Sequence, residues 1–304
     1  MNDMQQYLVD ELVEEYRAGR MTRREVLHRV TLLTGSATVA GALVGAVTPV
    51  RVAAEPSERP AVQWAPQVSP YDASIRAGLV LIPGDGATLA GYLARPASGD
   101  AVPGVLVIHE NQGLTAQQED VARRLAKQGY AAVVLDQLSR AGGVGALPDS
   151  AQASAAQAQI PTEQHVADLN ATLAYLGGLS SVRGDRLGVM GFCAGGGMTW
   201  RVALSNPRLR AAVPYYGPIP PLDDLSNLQA AVLAIYGGED TNVNSRIPYM
   251  EEAMQAAGKT VEVVIEPGAL HAFFNDSNPD RYNAAASADA WARTLDWFGR
   301  YLGS

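Results

Sequence analysis

Arg186-Leu187-Gly188-Val189-Met190-Gly191-Phe192-Cys193-Ala194-Gly195-Gly196-Gly197 is the stretch on which the fold turns. Arg186–Met190 predicts a buried strand, and it runs directly into Gly-x-Cys-x-Gly. Gly195–Leu204 then predicts a helix. A strand, a sharp turn and a helix with a nucleophile at the turn form a nucleophile elbow, here with cysteine in place of serine. Glycines two before and two after the nucleophile are required because a Cβ at either place would strike the neighbouring strand or helix. The turn lifts Cys193 to the top of a sheet, where the partial positive charge of a helix N-terminus favours thiolate.

Outward from the elbow, short β-branched runs alternate with helical patterns. Ile75–Ile82 and Thr88–Arg95, separated by Pro83-Gly84-Asp85-Gly86, predict a hairpin. Strands are predicted over Gly104–Ile108, Ala131–Leu135, Ala211–Tyr215, Ala231–Tyr236 and Val261–Ile265. Helices are predicted over Gln117–Gln128, Thr162–Leu176, Ile247–Ala257 and Ala284–Leu302. The continuous apolar character of the inner strands predicts a mostly parallel sheet covered by helices on both faces. Ala141–Ile160, rich in small residues, is expected to be a surface excursion.

A nucleophile needs a base, and the base an orienting group. Of four histidines, His28 is near the N-terminus and His165 falls within a helix, where a solvated role is expected. His271 follows the last strand and is the candidate base. Gly237-Gly238-Glu239-Asp240 follows the preceding strand; its spacing favours Asp240 as the orienting acid, with Glu239 the alternative. Both lie at carboxyl ends of strands, where open α/β sheets place their sites. His109 and Glu110 follow Gly104–Ile108; His109 is either a pocket donor or a histidine satisfied by backbone.

Glu110, Gly191-Phe192-Cys193-Ala194-Gly195-Gly196, Tyr215-Tyr216-Gly217, Asp240 and Pro267-Gly268-Ala269-Leu270-His271-Ala272-Phe273 together resemble the dienelactone hydrolase family of α/β-hydrolases. The resemblance covers about Ile75 to Leu302 and implies the α/β-hydrolase fold. It implies a Cys193–His271–Asp240 triad hydrolysing an ester or lactone, with the Asn111 and Ala194 amides as oxyanion hole. It also implies that Glu110 contacts the resting thiol. Tyr216, Phe273 and Trp200 are candidate pocket walls, and Arg140 a candidate partner for an acidic substrate group. Family members acting on dienelactone carry an arginine four residues after the histidine; here that position is Asn275, so neutral, fairly apolar substrates are expected. Promiscuous hydrolysis of thioesters or organophosphates is the alternative within the class. A redox-sensing thiol protein is the alternative outside it.

The chain has 304 residues, 47% hydrophobic and 18% charged, which excludes disordered and fibrous classes and suits one large α/β domain. A net charge of −8 argues against a nucleic-acid partner. Cys193 is the sole cysteine, which excludes an internal disulfide framework or a multi-cysteine metal site. No metal or organic cofactor is expected. Gln5–Arg17 predicts an acidic amphipathic helix. Arg23-Arg24 and an uncharged stretch to Val50 follow, and Val52-Ala53-Ala54 ends it with small residues. Residues 1–54 therefore resemble a twin-arginine export signal, with an uncleaved anchor or a docked structural helix as alternatives. A periplasmic or extracellular location is expected, with membrane contact only through this segment if it is uncleaved. Residues 55–73 read as a proline-rich arm pinned by Trp64, and 74–304 as the catalytic domain.

Overall fold

The computed structural model describes residues 1–47 and 64–303. Three N-terminal helices come first: α1 (Asp3–Arg17), α2 (Arg23–Thr34) and α3 (Ala37–Gly45). The sheet begins with β1 (Ile75–Gly84), β2 (Ala87–Pro96) and β3 (Val102–Ile108), followed by α4 (Ala116–Lys127) and β4 (Ala131–Leu135). Next come α5 (Ser150–Gln159), α6 (Thr162–Gly177), β5 (Val182–Phe192) and α7 (Ala194–Ser205). The chain ends with β6 (Leu209–Tyr215), β7 (Ala231–Gly237), α8 (Thr241–Asn244), α9 (Ile247–Ala256), β8 (Val261–Glu266) and α10 (Ala284–Leu302).

The eight strands form one sheet in the order β1-β2-β4-β3-β5-β6-β7-β8. β2 pairs antiparallel with β1 and β4, and every later pairing is parallel. This is the mostly parallel sheet expected from the alternating pattern, in the α/β-hydrolase arrangement that the family resemblance implies. Inner strands such as Ala131–Leu135 are buried along their whole length, which explains their unbroken apolar runs. β5 starts earlier than expected, at Val182, because Val182 and Arg183 pair with Val102 and Pro103 of β3 ahead of a register shift in that ladder. The pairings Ile108↔Gly191 and Phe192↔Tyr215 align the carboxyl ends of β3, β5 and β6 at one edge. Chemistry-bearing residues just beyond those ends therefore converge.

Two readings need correction. Within Ala141–Ile160, α5 forms and buries Ala153, Gln157 and Ala158. Its small residues let other helices approach closely, and α1 and α2 pack there. His165 is buried rather than solvated, with Nε2 3.1 Å from the Gln157 carbonyl, so it ties α6 to α5.

The N-terminal helices are seated on the domain. Asn2 caps α1 reciprocally with Gln5, and Met4, Tyr7, Leu8, Val9 and Tyr16 are buried, matching the amphipathic helix expected there. Asn2 Nδ2 donates to the Ala158 carbonyl at 2.9 Å, and Gln5 Nε2 to Leu33 O at 3.0 Å. Within the described residues the uncharged stretch is helical at the end of α2 and again over Ala37–Gly45, and no described helix is long and apolar enough to cross a membrane. Val52-Ala53-Ala54 and the first part of the arm lie outside the described residues. The rest of the arm is pinned as expected: Trp64 Nε1 donates to Asp276 at 3.1 Å, and Gln67 and Val68 amides donate to Asp120.

Candidate active site

Cys193 sits at φ 54°, ψ −123°, between β5 and α7, a conformation an L-residue adopts only under constraint. The flanking glycines show why the turn needs them. A Cβ on Gly191 would stand 2.6 Å from Thr199 Oγ1, and one on Gly195 would stand 2.5 Å from Ile108 O. No side chain could be accommodated at either place without moving backbone.

The loop after β7 delivers Asp240 and the loop after β8 delivers His271. Their Oδ2 and Nδ1 atoms are 2.6 Å apart, and both residues are buried. Asp240 is thereby chosen over Glu239, which is exposed. Burial opposes the imidazolium, but Asp240, then Glu11 and Cys193, outweigh it and hold the His271 pKa well above the ordinary histidine range. The Tyr216 ring meets the imidazole edge-on, with centroids 5.1 Å apart.

Glu110 is close to this group but does not take the place expected of it. Its Oε2 accepts from Asn275 Nδ2 at 2.8 Å, and its Oε1 from Tyr216 at 3.5 Å. Burial raises its pKa, and the Asn275 bond works the other way. The carboxylate that meets the thiol is Glu11 of α1, whose Oε2 accepts from Cys193 Sγ at 3.7 Å. Glu11 Oε1 stands 3.6 Å from His271 Nε2. Tyr7 Oη lies 3.4 Å from Sγ and 3.5 Å from Nε2. Neither residue was legible as a site residue, because each reaches the thiol across more than 180 residues of chain. Burial, then Glu11, pushes the Cys193 thiol up to about 11, so the helix N-terminus does not leave a thiolate.

A cavity of about 650 Å³ opens over Cys193 and His271. Glu110, Asn111 and Asn275 line one side, and Leu8, Glu11, Leu12 and Leu33 of the N-terminal helices line another. Ala194 provides the first amide of α7, of the kind a helix leaves without an internal partner. Tyr216 and Phe273 are buried beside the site and pack on each other at 5.4 Å between centroids. Two other expectations are corrected. Trp200 is wholly buried in α7 and does not line the cavity. Arg140 holds Asp168 through two bonds of 2.8 Å, so its planar fork is committed to a structural ion pair. His109 is satisfied by backbone: Nδ1 lies 2.7 Å from Glu110 O, and Nε2 accepts from the Gln137 amide at 3.2 Å. Burial lowers its pKa to about 4, so it is neutral. Glu11, Cys193 and His271 bring their donor atoms within 4.8 Å of one another.

A cysteine at an elbow between β5 and α7, with an aspartate and a histidine after β7 and β8 of this sheet, is the arrangement of an α/β-hydrolase. The dienelactone hydrolase family profile matches residues 89–302, and the chain belongs to that family. It is accordingly an ester or lactone hydrolase. A Methylorubrum extorquens protein named "Putative carboxymethylenebutenolidase" is 39% identical over 237 residues, covering 74% of this chain and 81% of its own. The crystal structure of a "Putative Dienelactone Hydrolase" from Klebsiella pneumoniae superimposes with a TM-score of 0.69 at 32% identity. It covers 75% of this chain and 99% of that one. A dienelactone hydrolase-like promiscuous phosphotriesterase from metagenomic libraries, 22% identical with a TM-score of 0.64, shares the fold over 76% of this chain and 100% of its own.

Proposed function

We propose that the protein hydrolyses neutral, fairly apolar carboxylic esters or lactones through a Cys193–His271–Asp240 triad and a thioacyl-enzyme intermediate. The observation that carries this reading is the 2.6 Å bond from His271 Nδ1 to Asp240 beside the strained elbow cysteine. In the attacking state, His271 Nε2 takes the thiol proton as Sγ adds to the acyl carbon. The oxyanion is received by the Asn111 and Ala194 amides. His271 then returns the proton to the leaving alkoxide. Water, deprotonated by the same nitrogen, cleaves the thioester, and the thiol is regenerated. Asp240 keeps the imidazole in the Nδ1–H tautomer and stabilises its charged form.

The substrate preference follows from charge. Glu110 and Glu11 line the cavity, while Arg20 and Arg281 are engaged by Glu15 and Arg29 by Glu25. An anionic substrate would find no unpaired cation among these arginines of the cavity. The name of the Methylorubrum relative supports lactones as one substrate class.

The test is an ester and lactone panel, including p-nitrophenyl acetate, on wild type and Cys193→Ala. Turnover by wild type with none above background in Cys193→Ala is expected. Full activity in the alanine variant would refute the assignment. Export by a twin-arginine-type pathway is proposed as well, and the exposure of Arg23 and Arg24 at the start of α2 supports it. A reporter fused to residues 1–54 should leave the cytoplasm, and Lys at both positions should retain it; retention of the wild-type fusion would refute export.

A further inference from the structure

The N-terminal helix α1 stands outside the segment the family profile matches, which begins at residue 89. It nevertheless places two polar side chains on the atoms that perform the chemistry. Tyr7 Oη is within 3.5 Å of both Sγ and Nε2, and the Glu11 carboxylate spans the same two atoms. We propose that Tyr7 and Glu11 are positioning residues that hold the triad in a resting, non-attacking state, so that α1 acts as an intramolecular inhibitor of the hydrolase. This inference rests on the hydrolytic reading above and assigns its regulation.

The physical case has three parts. The first is the base. Nε2 must present a lone pair to take the thiol proton, but the ring lies between Asp240 at Nδ1 and Glu11 at Nε2. An imidazole between two carboxylates keeps both protons, and an imidazolium has no lone pair to offer. The second is the nucleophile. The thiolate attacks, not the thiol. A carboxylate accepting from Sγ rewards the protonated form, and burial beneath α1 adds to it. The third is space. A phenol hydroxyl on both Sγ and Nε2 stands where an acyl carbon must approach.

Other groups face Cys193 and His271 and do not undo this. Glu110 after β3 adds negative charge, and Asp240 after β7 favours imidazolium. Tyr216 after β6 is neutral, its pKa held far above the working range by burial and by Glu110. Arg281 approaches only the His271 carbonyl, at 3.4 Å, and pairs with Glu15 of α1. That pair, with Arg201–Asp3 at 3.0 Å, fastens α1 across the site. Arg201–Asp3, with Asp3 exposed, is an ion pair of the kind that contributes little, whereas Arg281–Glu15 is largely shielded from solvent and is the stronger fastening of α1. The segment that would be lost with the proposed export leader is the segment that closes the site. Its removal would deliver an active enzyme only after export.

The full chain can be tested without truncation, because Cys193 is its sole cysteine and alkylation reports that thiol alone. Iodoacetamide alkylation of wild type, Tyr7→Phe, Glu11→Gln and the double variant would be followed from about pH 6 to 10, beside kcat and KM for p-nitrophenyl acetate. The wild-type profile should still be rising at the top of this range, since the thiol is pushed up to about 11. Glu11→Gln should shift the profile to lower pH and alkylate at least about tenfold faster at pH 7, the effect of one pKa unit. The double variant should show the same acceleration in kcat. Asp10→Asn, on the exposed face of α1, should alkylate at the wild-type rate. Unchanged or slower alkylation in the Tyr7 and Glu11 variants, or a fall in kcat, would overturn the inference. Equal acceleration by Asp10→Asn would also overturn it, by reducing the effect to loosening of the helix. Should no ester be turned over by any variant while alkylation accelerates as described, the hydrolytic reading fails and the hold on the thiol stands.

Discussion

Replacing Asp240 by Asn isolates the charge of the orienting acid from its shape. Asp240 Oδ2 lies 2.6 Å from His271 Nδ1, and the acid is 4% exposed, so no solvent charge can stand in for it. Asparagine fits the same space and its amide oxygen can still accept from Nδ1–H. It can equally present its NH2 group, which favours the wrong tautomer. The negative charge that stabilises the imidazolium is gone in either case. In serine-protease triads this substitution costs on the order of 10⁴ in kcat, or about 5 kcal/mol in the barrier. A comparable loss is expected here, because Glu11 is poised at Nε2 rather than Nδ1 and cannot restore the tautomer. The assay is kcat/KM for p-nitrophenyl acetate near pH 7, with a thermal melt to establish that the variant folds. Glu239→Gln is the comparison: Glu239 is exposed, and its replacement should change activity by less than about twofold. A loss under about tenfold in Asp240→Asn, or a larger loss in Glu239→Gln, would refute the placement of the acid.

Asn275, bonded to Glu110 at 2.8 Å, brings no positive charge to the cavity. Wild type should therefore prefer an uncharged ester to a carboxylate-bearing lactone of similar size, and Asn275→Arg should narrow the difference. A wild-type preference of about tenfold for the carboxylated substrate, about 1.4 kcal/mol, would refute this. Glu266 is pushed up to about 7 by burial and by neighbouring Asp289. A raised folded-state pKa gives stability that is present below the ordinary carboxyl range and lost as pH rises through about 7. The wild-type Tm should therefore fall between about pH 5 and pH 8. Glu266→Gln should flatten that fall, and an identical fall in the variant would place the effect elsewhere.

Much of the site was readable from the chain because its constraints are local. Gly191 and Gly195 are dictated by atoms within one turn of Cys193 and by the adjoining strand, so the elbow announces itself in twelve residues. Asp240 follows the unbroken apolar run of β7 and His271 the β-branched run of β8, and a parallel sheet brings the ends of such strands to one edge. What the sequence could not decide was which side chains meet across long separations. Arg140 could be assigned to substrate or surface until Asp168 was seen to occupy its fork. Trp200 lies on the helix that follows the nucleophile, yet it faces the core. Glu110 occupies the position a thiol contact would require, but Asn275 and Tyr216 turn its carboxylate elsewhere. The acidic residues of Asp3–Arg17 gave no sign that one of them would replace it. An amphipathic pattern specifies that a helix will bury one face. Which surface receives that face depends on the fit of Met4, Tyr7 and Leu8 against a domain assembled from residues far along the chain, and only the tertiary structure settles it.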